Sequence, residues 1–391
     1  MTPKKIIHKL HLWLGFGSGI IIVFLGITGC MLAFEREIET MQSFRYVAPQ
    51  KKSFVEPSVL KETATKLLPG KILHSVVYGT KKDAAQMLFY NGLEYYYVIF
   101  MNPYAGKVLK VKNMNKDFFR IIINGHYYLW LPNIGQPVVT TATLIFLITL
   151  ITGLVLWWPR NNAAKKQRFK IKWNARWRRR NYDLHNVLGF YMTWIAIFLA
   201  LSGMVMGFQW FAKSVYWATS SGKSLTGYYE PASQKPASAT TPFSAEDKVW
   251  GIMQNSYKNA ETIEVHYASS DSSPIVADAN PDASTLWKTD YRYFDQYTLK
   301  EMPVTDFYGR FGEASVADKI QRMNYDIHTG EILGLPGKIL AFFASLIAAS
   351  LPITGFYIWW GRKRKRKRQN LFTQTSIGSF AVYENYNEIK L

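Results

Sequence analysis

Seven histidines are the residues of this 391-residue chain whose type and spacing could do the most chemistry. Four of them stand in register when the chain is aligned with itself: His11 with His185 at an offset of 174 residues, and His126 with His328 at an offset of 202. Two imidazoles that face each other across a helical bundle can bind a haem iron from both sides, which favours electron transfer over oxygen binding. The registers therefore predict two pairs of axial haem ligands.

Glycines accompany one of these pairs. Gly15 lies four residues after His11, and Gly189 lies four residues after His185. In a helix this spacing puts each glycine on the face of its histidine, where a missing side chain would let a flat macrocycle approach the backbone. Close packing of helices through small residues is the alternative, and both roles can hold together.

The other three histidines fit the pattern less well. His8 lies one turn before His11, but it aligns with Tyr182 in the second half of the chain, so His11 is the preferred ligand. His74 and His266 lie in predicted strands and out of register, which is typical of ordinary surface or core histidines. A zinc or copper site made from the same histidines is an alternative, but no nearby Cys, Asp or Glu recurs at a matching spacing to complete it.

Long uncharged stretches must position these residues. Each stretch reaches the roughly 20 residues that a helix needs to cross the hydrocarbon core of a bilayer. One could be a buried helix of a soluble protein, but four in one chain predict an integral membrane protein built on a four-helix transmembrane bundle. The uncharged stretches are residues 10–34, 121–159, 184–212 and 339–361.

The net charge of +20 is concentrated beside these stretches. Basic residues precede the first span, residues 160–180 hold ten bases and no acid, and residues 362–368 are an unbroken basic run. This asymmetry predicts that both termini are cytoplasmic. Contact with anionic membrane lipid is expected of these runs, and a nucleic-acid partner is not.

Cys30 is the single cysteine and lies inside the first span, so no disulfide can form within the chain. Residues 27–30 resemble a lipoprotein cleavage site, but an internal repeat accounts for Thr28-Gly29 better. A removable signal peptide is disfavoured because the apolar stretch is about twice the length of a usual signal-peptide core.

That repeat covers both halves of the chain. Spans one and three align without gaps, and so do spans two and four, which predicts two parallel copies of a helix, an exported segment and a second helix. Membrane proteins often place a functional site between such repeats. The matching pairs are Thr28-Gly29 with Ser202-Gly203, Thr152-Gly153 with Thr354-Gly355, and Trp157-Trp158 with Trp359-Trp360.

The two exported segments read as small α+β modules. Alternating aromatic and β-branched residues indicate the strands, and residues 231–241, rich in Pro, Ser and Ala, indicate a flexible link. The first module is predicted to hold a helix at 58–68 and strands at 71–78, 85–90, 94–101 and 107–112. The second is predicted to hold a helix at 244–257 and strands at 262–268, 274–279 and 286–295.

The predicted organisation follows the chain in order. It comprises span one (10–34), module one (35–118), an interfacial segment with His126 (119–135), span two (136–159), a basic cytoplasmic loop (160–182), span three (183–212), module two (213–325), an interfacial segment with His328 (326–337), span four (338–361) and a basic cytoplasmic tail (362–391).

The chain resembles the PepSY-associated transmembrane helix family. The resemblance rests on His11-Leu-Trp-Leu-Gly15, residues 183–189, His328-Thr-Gly330, the Thr-Gly and Trp-Trp pairs of spans two and four, and residues 100–109 and 293–300. The last two segments resemble the end of PepSY modules, although 293–300 lacks the glycine of that pattern. First-half His126 also departs from the family pattern, since Tyr127 and Tyr128 follow it.

Members of this family whose function is understood include FoxB-type ferric-siderophore reductases of the bacterial inner membrane, which carry two b-type haems. The resemblance implies that His11 and His185 hold a haem on the cytoplasmic side and that His126 and His328 hold an outer one. It implies a ferric siderophore as the substrate. The run from Gly15 to Gly19 follows no strand, so it is not a dinucleotide fingerprint, and the cytoplasmic electron donor is expected to be a separate, unknown partner.

Two other functions fit the same sequence. The chain could be a non-enzymatic membrane sensor or protease-regulating protein that acts through its PepSY-like modules, with the histidines in structural roles. It could also be an electron-transfer subunit for another periplasmic acceptor. The colour of the purified protein separates the first alternative from a cytochrome, because a protein with two bis-histidine haems is red.

Overall fold

A computed structural model describes residues 2–92, 94–159, 168–235 and 244–388, with side chains through Arg364. The loop predicted at 160–182, the link predicted at 231–241 and the tail predicted to residue 391 therefore lie partly outside the described residues.

Helices and an antiparallel sheet make up this part of the chain. The helices are α1 (Pro3–Leu32), α2 (Glu35–Thr40), α3 (Pro57–Leu67), α4 (Phe118–Tyr128), α5 (Gly135–Trp157), α6 (Trp177–Gly207), α7 (Gln209–Thr219), α8 (Ala245–Ser256), α9 (Val316–Thr329) and α10 (Gly334–Glu388). The strands are β1 (Leu73–Tyr78), β2 (Ala85–Asn91), β3 (Tyr95–Met101), β4 (Val108–Asn113), β5 (Thr262–His266), β6 (Ile275–Asn280), β7 (Asp290–Phe294) and β8 (Glu301–Met302).

Four segments of the described chain are long and apolar enough to cross a membrane. They are Pro3–Thr40, Gly135–Trp157, Trp177–Gly207 and Glu331–Arg364. Large apolar side chains point outward from them, among them Ile20, which is 86% exposed, and Phe198, which is 61% exposed. Apolar surface of this kind is stable against lipid, and helices satisfy their own backbone hydrogen bonds there. The chain is an integral membrane protein, as the hydropathy pattern predicts.

The chain divides into two compact units, and the division falls inside the long helices. The first unit comprises residues 1–27, 141–200 and 343–391, and the second comprises residues 28–140 and 201–342.

Small side chains let the helices of the first unit approach one another. Ala196 of α6 and Ala344 of α10 are buried in one apolar cluster together with Leu150 of α5. A Cβ atom at Gly26 of α1 would lie 2.6 Å from the carbonyl oxygen of Ser345, so only glycine fits this contact. Helix pairs in membranes commonly pack through such small residues.

The second unit contains an eight-stranded sheet in the order β4-β3-β2-β1-β5-β6-β7-β8, with every pair antiparallel. One face is apolar and packs against α3 and α8, where Leu60 and Met253 are fully buried. The strands and helices predicted for the two exported segments are present with bounds shifted by a few residues. Strand β7 is shorter than predicted, and the two-residue β8 was missed.

Strands β1 and β5 pair over Ser75–Tyr78 and Ile263–His266, so both predicted modules contribute to one continuous sheet. The sequence analysis did not predict this pairing. The pattern of side chains reports which face of a strand is buried, but it does not report which strand lies beside an edge.

Candidate functional site: two histidine pairs

The first pair lies in the first unit. His11 is on α1 and His185 is on α6, and their ring centroids are 6.5 Å apart with the ring planes at 85°. These are two of the four histidines that the registers single out.

Threonines orient both rings. The Nδ1 atom of His11 lies 3.1 Å from the Thr152 hydroxyl and 3.1 Å from the Thr149 carbonyl oxygen. The Nδ1 atom of His185 lies 2.9 Å from the Thr354 hydroxyl.

The tautomer follows from these contacts. The Thr152 hydroxyl donates to the carbonyl of Ile148, and that of Thr354 donates to the carbonyl of Ser350, so each hydroxyl accepts from its histidine. Each imidazole then carries its proton on Nδ1 and offers the lone pair of Nε2. Metal-binding histidines are usually fixed by this kind of hydrogen bond from the second ring nitrogen.

The glycine after each threonine makes room for the ring. A Cβ atom at Gly153 would lie 3.1 Å from Cε1 of His11, and one at Gly355 would lie 3.3 Å from Cε1 of His185. The two Thr-Gly pairs therefore act as units in which threonine orients an imidazole and glycine leaves space for it. The sequence analysis noted these pairs as part of the repeat and assigned them no role.

A cavity of about 1010 Å³ surrounds the first pair. This volume lies at the upper end of the range of about 300–1,000 Å³ for ligand sites. Gly15 and Gly189 line it, as does His8, and Gly15 has nothing within 4 Å of the position that a Cβ atom would occupy. The rest of the lining combines apolar and basic side chains, including Phe16, Leu154, Phe190, Leu351, Lys5, Arg168 and Arg362.

The second pair lies in the second unit. His126 is on α4 and His328 is on α9, with ring centroids 6.3 Å apart and ring planes at 65°. Nδ1 of His126 lies 2.8 Å from the Thr28 hydroxyl, and Nδ1 of His328 lies 3.0 Å from the Ser202 hydroxyl. Burial, assisted by the nearby His328, lowers the pKa of His126 to about 3, so this imidazole is neutral at physiological pH.

Side-chain contacts fix the helix that carries His328. The Arg322 guanidinium of α9 donates to the carbonyls of Thr289 at 2.8 Å and Gly309 at 2.7 Å. The fully buried Asp326 carboxylate accepts from the backbone N–H groups of Leu286 and Trp287. Helix α9 ends at Thr329 and is capped by Gly330, whose φ of +82° suits glycine and accounts for the glycine of the His-Thr-Gly sequence.

The two remaining histidines meet elsewhere in the second unit. The rings of His74 and His266 lie 4.9 Å apart on the sheet, and His266 also contacts Glu264 and Asp278. From the sequence both are expected to be ordinary surface or core histidines, because they are out of register between the halves. Their cross-strand pairing carries no periodic signal that could have revealed the contact.

Each pair has a spacing at which one metal ion can bind both imidazoles. Two metal–nitrogen bonds of about 2.0–2.1 Å, one on each side of an ion, place the centroids of the two rings roughly 6–7 Å apart. Ligation needs neutral imidazoles with an exposed lone pair, and the hydroxyl contacts of the first pair supply that tautomer. Each pair can therefore bind a metal ion, alone or within a cofactor, with one imidazole on each side of the metal.

The family model described as the PepSY-associated TM region matches residues 8–362. No curated protein matches the chain significantly. The match covers nearly the whole chain, including both histidine pairs, the second and third candidate spans, and most of the first and fourth. The chain therefore belongs to the family of proteins with a PepSY-associated transmembrane region.

Proposed function

We propose that this protein is a di-haem transmembrane oxidoreductase that passes electrons from the cytoplasmic side of the bacterial inner membrane to a ferric siderophore in the periplasm. One observation carries the proposal: two histidine pairs have nearly equal ring separations, 6.5 and 6.3 Å, and a hydroxyl group at every Nδ1. This shared geometry suits a common ligating role for the two pairs better than two unrelated structural roles.

The cavity around His11 and His185 supports a b-type haem as the bound group. A haem held by two imidazoles supplies one-electron transfer without an open coordination position. The apolar lining suits the macrocycle, and Gly15 and Gly189 present no side chains to it. Basic residues such as Arg168 and Arg362 suit the two carboxylates that a b-type haem carries.

Equivalent contacts in the two halves support a duplicated architecture. Thr28 orients His126 as Ser202 orients His328. In one half the ring of Phe190 stacks on that of Trp157, with the centroids 3.8 Å apart. At the equivalent positions of the other half, the ring centroids of Phe16 and Trp359 lie 5.2 Å apart. We infer two repeats, with PepSY-like α+β modules formed by α3 with β1–β4 and by α8 with β5–β8. This is the arrangement in which a membrane protein builds sites between its copies.

The proposed direction of transfer rests on charge. The basic segments at 160–180 and 362–368 support an orientation with both termini in the cytoplasm. In this proposed orientation the first pair receives electrons from the cytoplasm and the sheet lies in the periplasm. The electron donor is an unknown cytoplasmic partner. Reduction of the siderophore-bound Fe(III) on the outer side releases the iron. The product Fe(II) is a softer and more labile ion, which the hard oxygen ligands of siderophores bind weakly.

The topology has its own test. A reporter fused at Lys170 should report the cytoplasm, and one fused at Gln234 should report the periplasm. A matched pair of reporters, one active only in the cytoplasm and one active only in the periplasm, checks each fusion twice. Finding both positions on one side of the membrane would contradict the four-span arrangement.

The cofactor is tested by haem analysis of the purified full-length protein. The pyridine haemochrome assay should approach two b-type haems per chain, and dithionite should shift the absorption spectrum as it does for bis-imidazole haem. A well-folded, colourless preparation would contradict the proposal and favour the non-enzymatic sensor or protease-regulating alternative. Two haems without reduction of any ferric siderophore would favour the alternative of an electron-transfer subunit for another acceptor.

A further inference from the structure

Three strands of the sheet bring four potential metal ligands to one face. Glu264 and His266 are two residues apart on β5, so they share the face opposite the apolar core. Asp278 of β6 is the direct cross-strand partner of Glu264. The fourth residue, His74, belongs to β1 on the other side of β5.

An irregularity in β1 accompanies His74. The pairing of β1 with β2 shifts by one residue between Leu73 and Ser75, so His74 is the additional residue. Such bulges turn a side chain toward a position that a regular strand would not reach, and they are frequent beside functional sites. Here the ring of His74 lies 4.9 Å from that of His266.

The ligand atoms are close enough to share one ion. The Nε2 atom of His266 lies 3.6 Å from a Glu264 carboxylate oxygen and 3.5 Å from an Asp278 carboxylate oxygen. The ligand atoms of these three residues all lie within 4.8 Å of one another. Ligands bound at about 2.0–2.2 Å around one ion lie roughly 3–4 Å apart, so a small adjustment of side chains completes the site.

The charges at this face call for a cation. Two carboxylates directly opposite each other on neighbouring strands repel. Within the part of the chain that the structure describes, His266 is the only ion-pair partner of either Glu264 or Asp278.

We propose that His74, Glu264, His266 and Asp278 bind one divalent first-row transition-metal ion, for which Zn²⁺ is the probe. Two imidazoles select such an ion over Mg²⁺ or Ca²⁺, which prefer ligand sets made of oxygen alone. The site shares no residue with either histidine pair, so it does not depend on the proposed haem function.

Equilibrium dialysis of the full-length purified protein in detergent tests this site. After treatment with EDTA, the protein should take up one Zn²⁺ per chain from a buffered solution, measured by elemental analysis. His266→Ala should weaken this binding by more than about 100-fold, because loss of even an outer partner of a metal ligand costs 10–100-fold. Glu264→Gln, which keeps the size and shape of the side chain, should weaken it by at least about tenfold.

Glu62→Gln is the matched control, since Glu62 is an exposed carboxylate of the same unit whose one ion pair among the described residues is with Lys66. It should bind Zn²⁺ as the unmodified protein does. Size-exclusion profiles and thermal unfolding establish that each variant is folded, and Glu264→Gln decides the question if His266→Ala does not fold. The proposal is overturned if the unmodified protein takes up no Zn²⁺, or if Glu264→Gln binds it as tightly as Glu62→Gln.

Discussion

Replacing His185 by alanine should halve the haem content, from about two to about one per chain, and abolish electron delivery from the cytoplasmic donor. His11 would then be left as a single ligand in the cavity of the first unit. The second pair should keep its haem, because His126, His328 and their partners Thr28 and Ser202 all belong to the second unit. Pyridine haemochrome analysis measures the loss, and dithionite should still reduce the remaining haem.

Two variants control this experiment. His8→Ala should leave both haems bound, because His8 lines the same cavity but its counterpart in the second half is Tyr182. Thr354→Val keeps the shape of the side chain and removes the hydroxyl that accepts from the His185 Nδ1–H, so the haem should remain but bind about 10–100-fold more weakly. If His8→Ala removes a haem while His11→Ala does not, the ligand assignment is wrong by one helical turn.

His328→Ala should abolish reduction of a ferric siderophore while the first pair still accepts electrons. Its loss leaves His126 as a single ligand in the second unit and removes the imidazole that contacts the Ser202 hydroxyl. The rate of Fe(II) release, followed with a ferrous-specific chromogenic chelator, should fall to that of a variant lacking both His11 and His185. The absorption change of the remaining haem should persist when electrons are supplied from the cytoplasmic side.

Gly330 offers a check on this second prediction. Gly330→Ala lies two residues from His328 and disturbs the end of α9, since Gly330 has a φ of +82° and a Cβ atom there would lie 2.5 Å from the Gly337 carbonyl oxygen. It should lower the haem content of the second pair less than His328→Ala does.

If His185→Ala and His328→Ala both reduce ferric siderophore at the rate of the unmodified protein, the transmembrane relay itself is wrong.

The amino-acid sequence alone was sufficient to predict the membrane helices and the histidines that belong together. Hydropathy over about 20 residues is a local signal, so the four spans follow from it directly. The pairing of His11 with His185, and of His126 with His328, agrees with the internal registers of the sequence, as expected if the proposed two copies meet at equivalent positions. The strands of both modules are also local patterns, and most were predicted within a few residues.

Only the tertiary structure decided what surrounds those histidines. The sequence shows that Thr152-Gly153 and Thr354-Gly355 recur, but their contacts with His11 and His185 depend on how separate helices pack. Likewise, His74 and His266 become neighbours only because β1 pairs with β5, in a register that no local pattern specifies. Hydropathy and repeats determine which segments form and which halves correspond, whereas non-local packing determines which polar atoms lie within bonding distance.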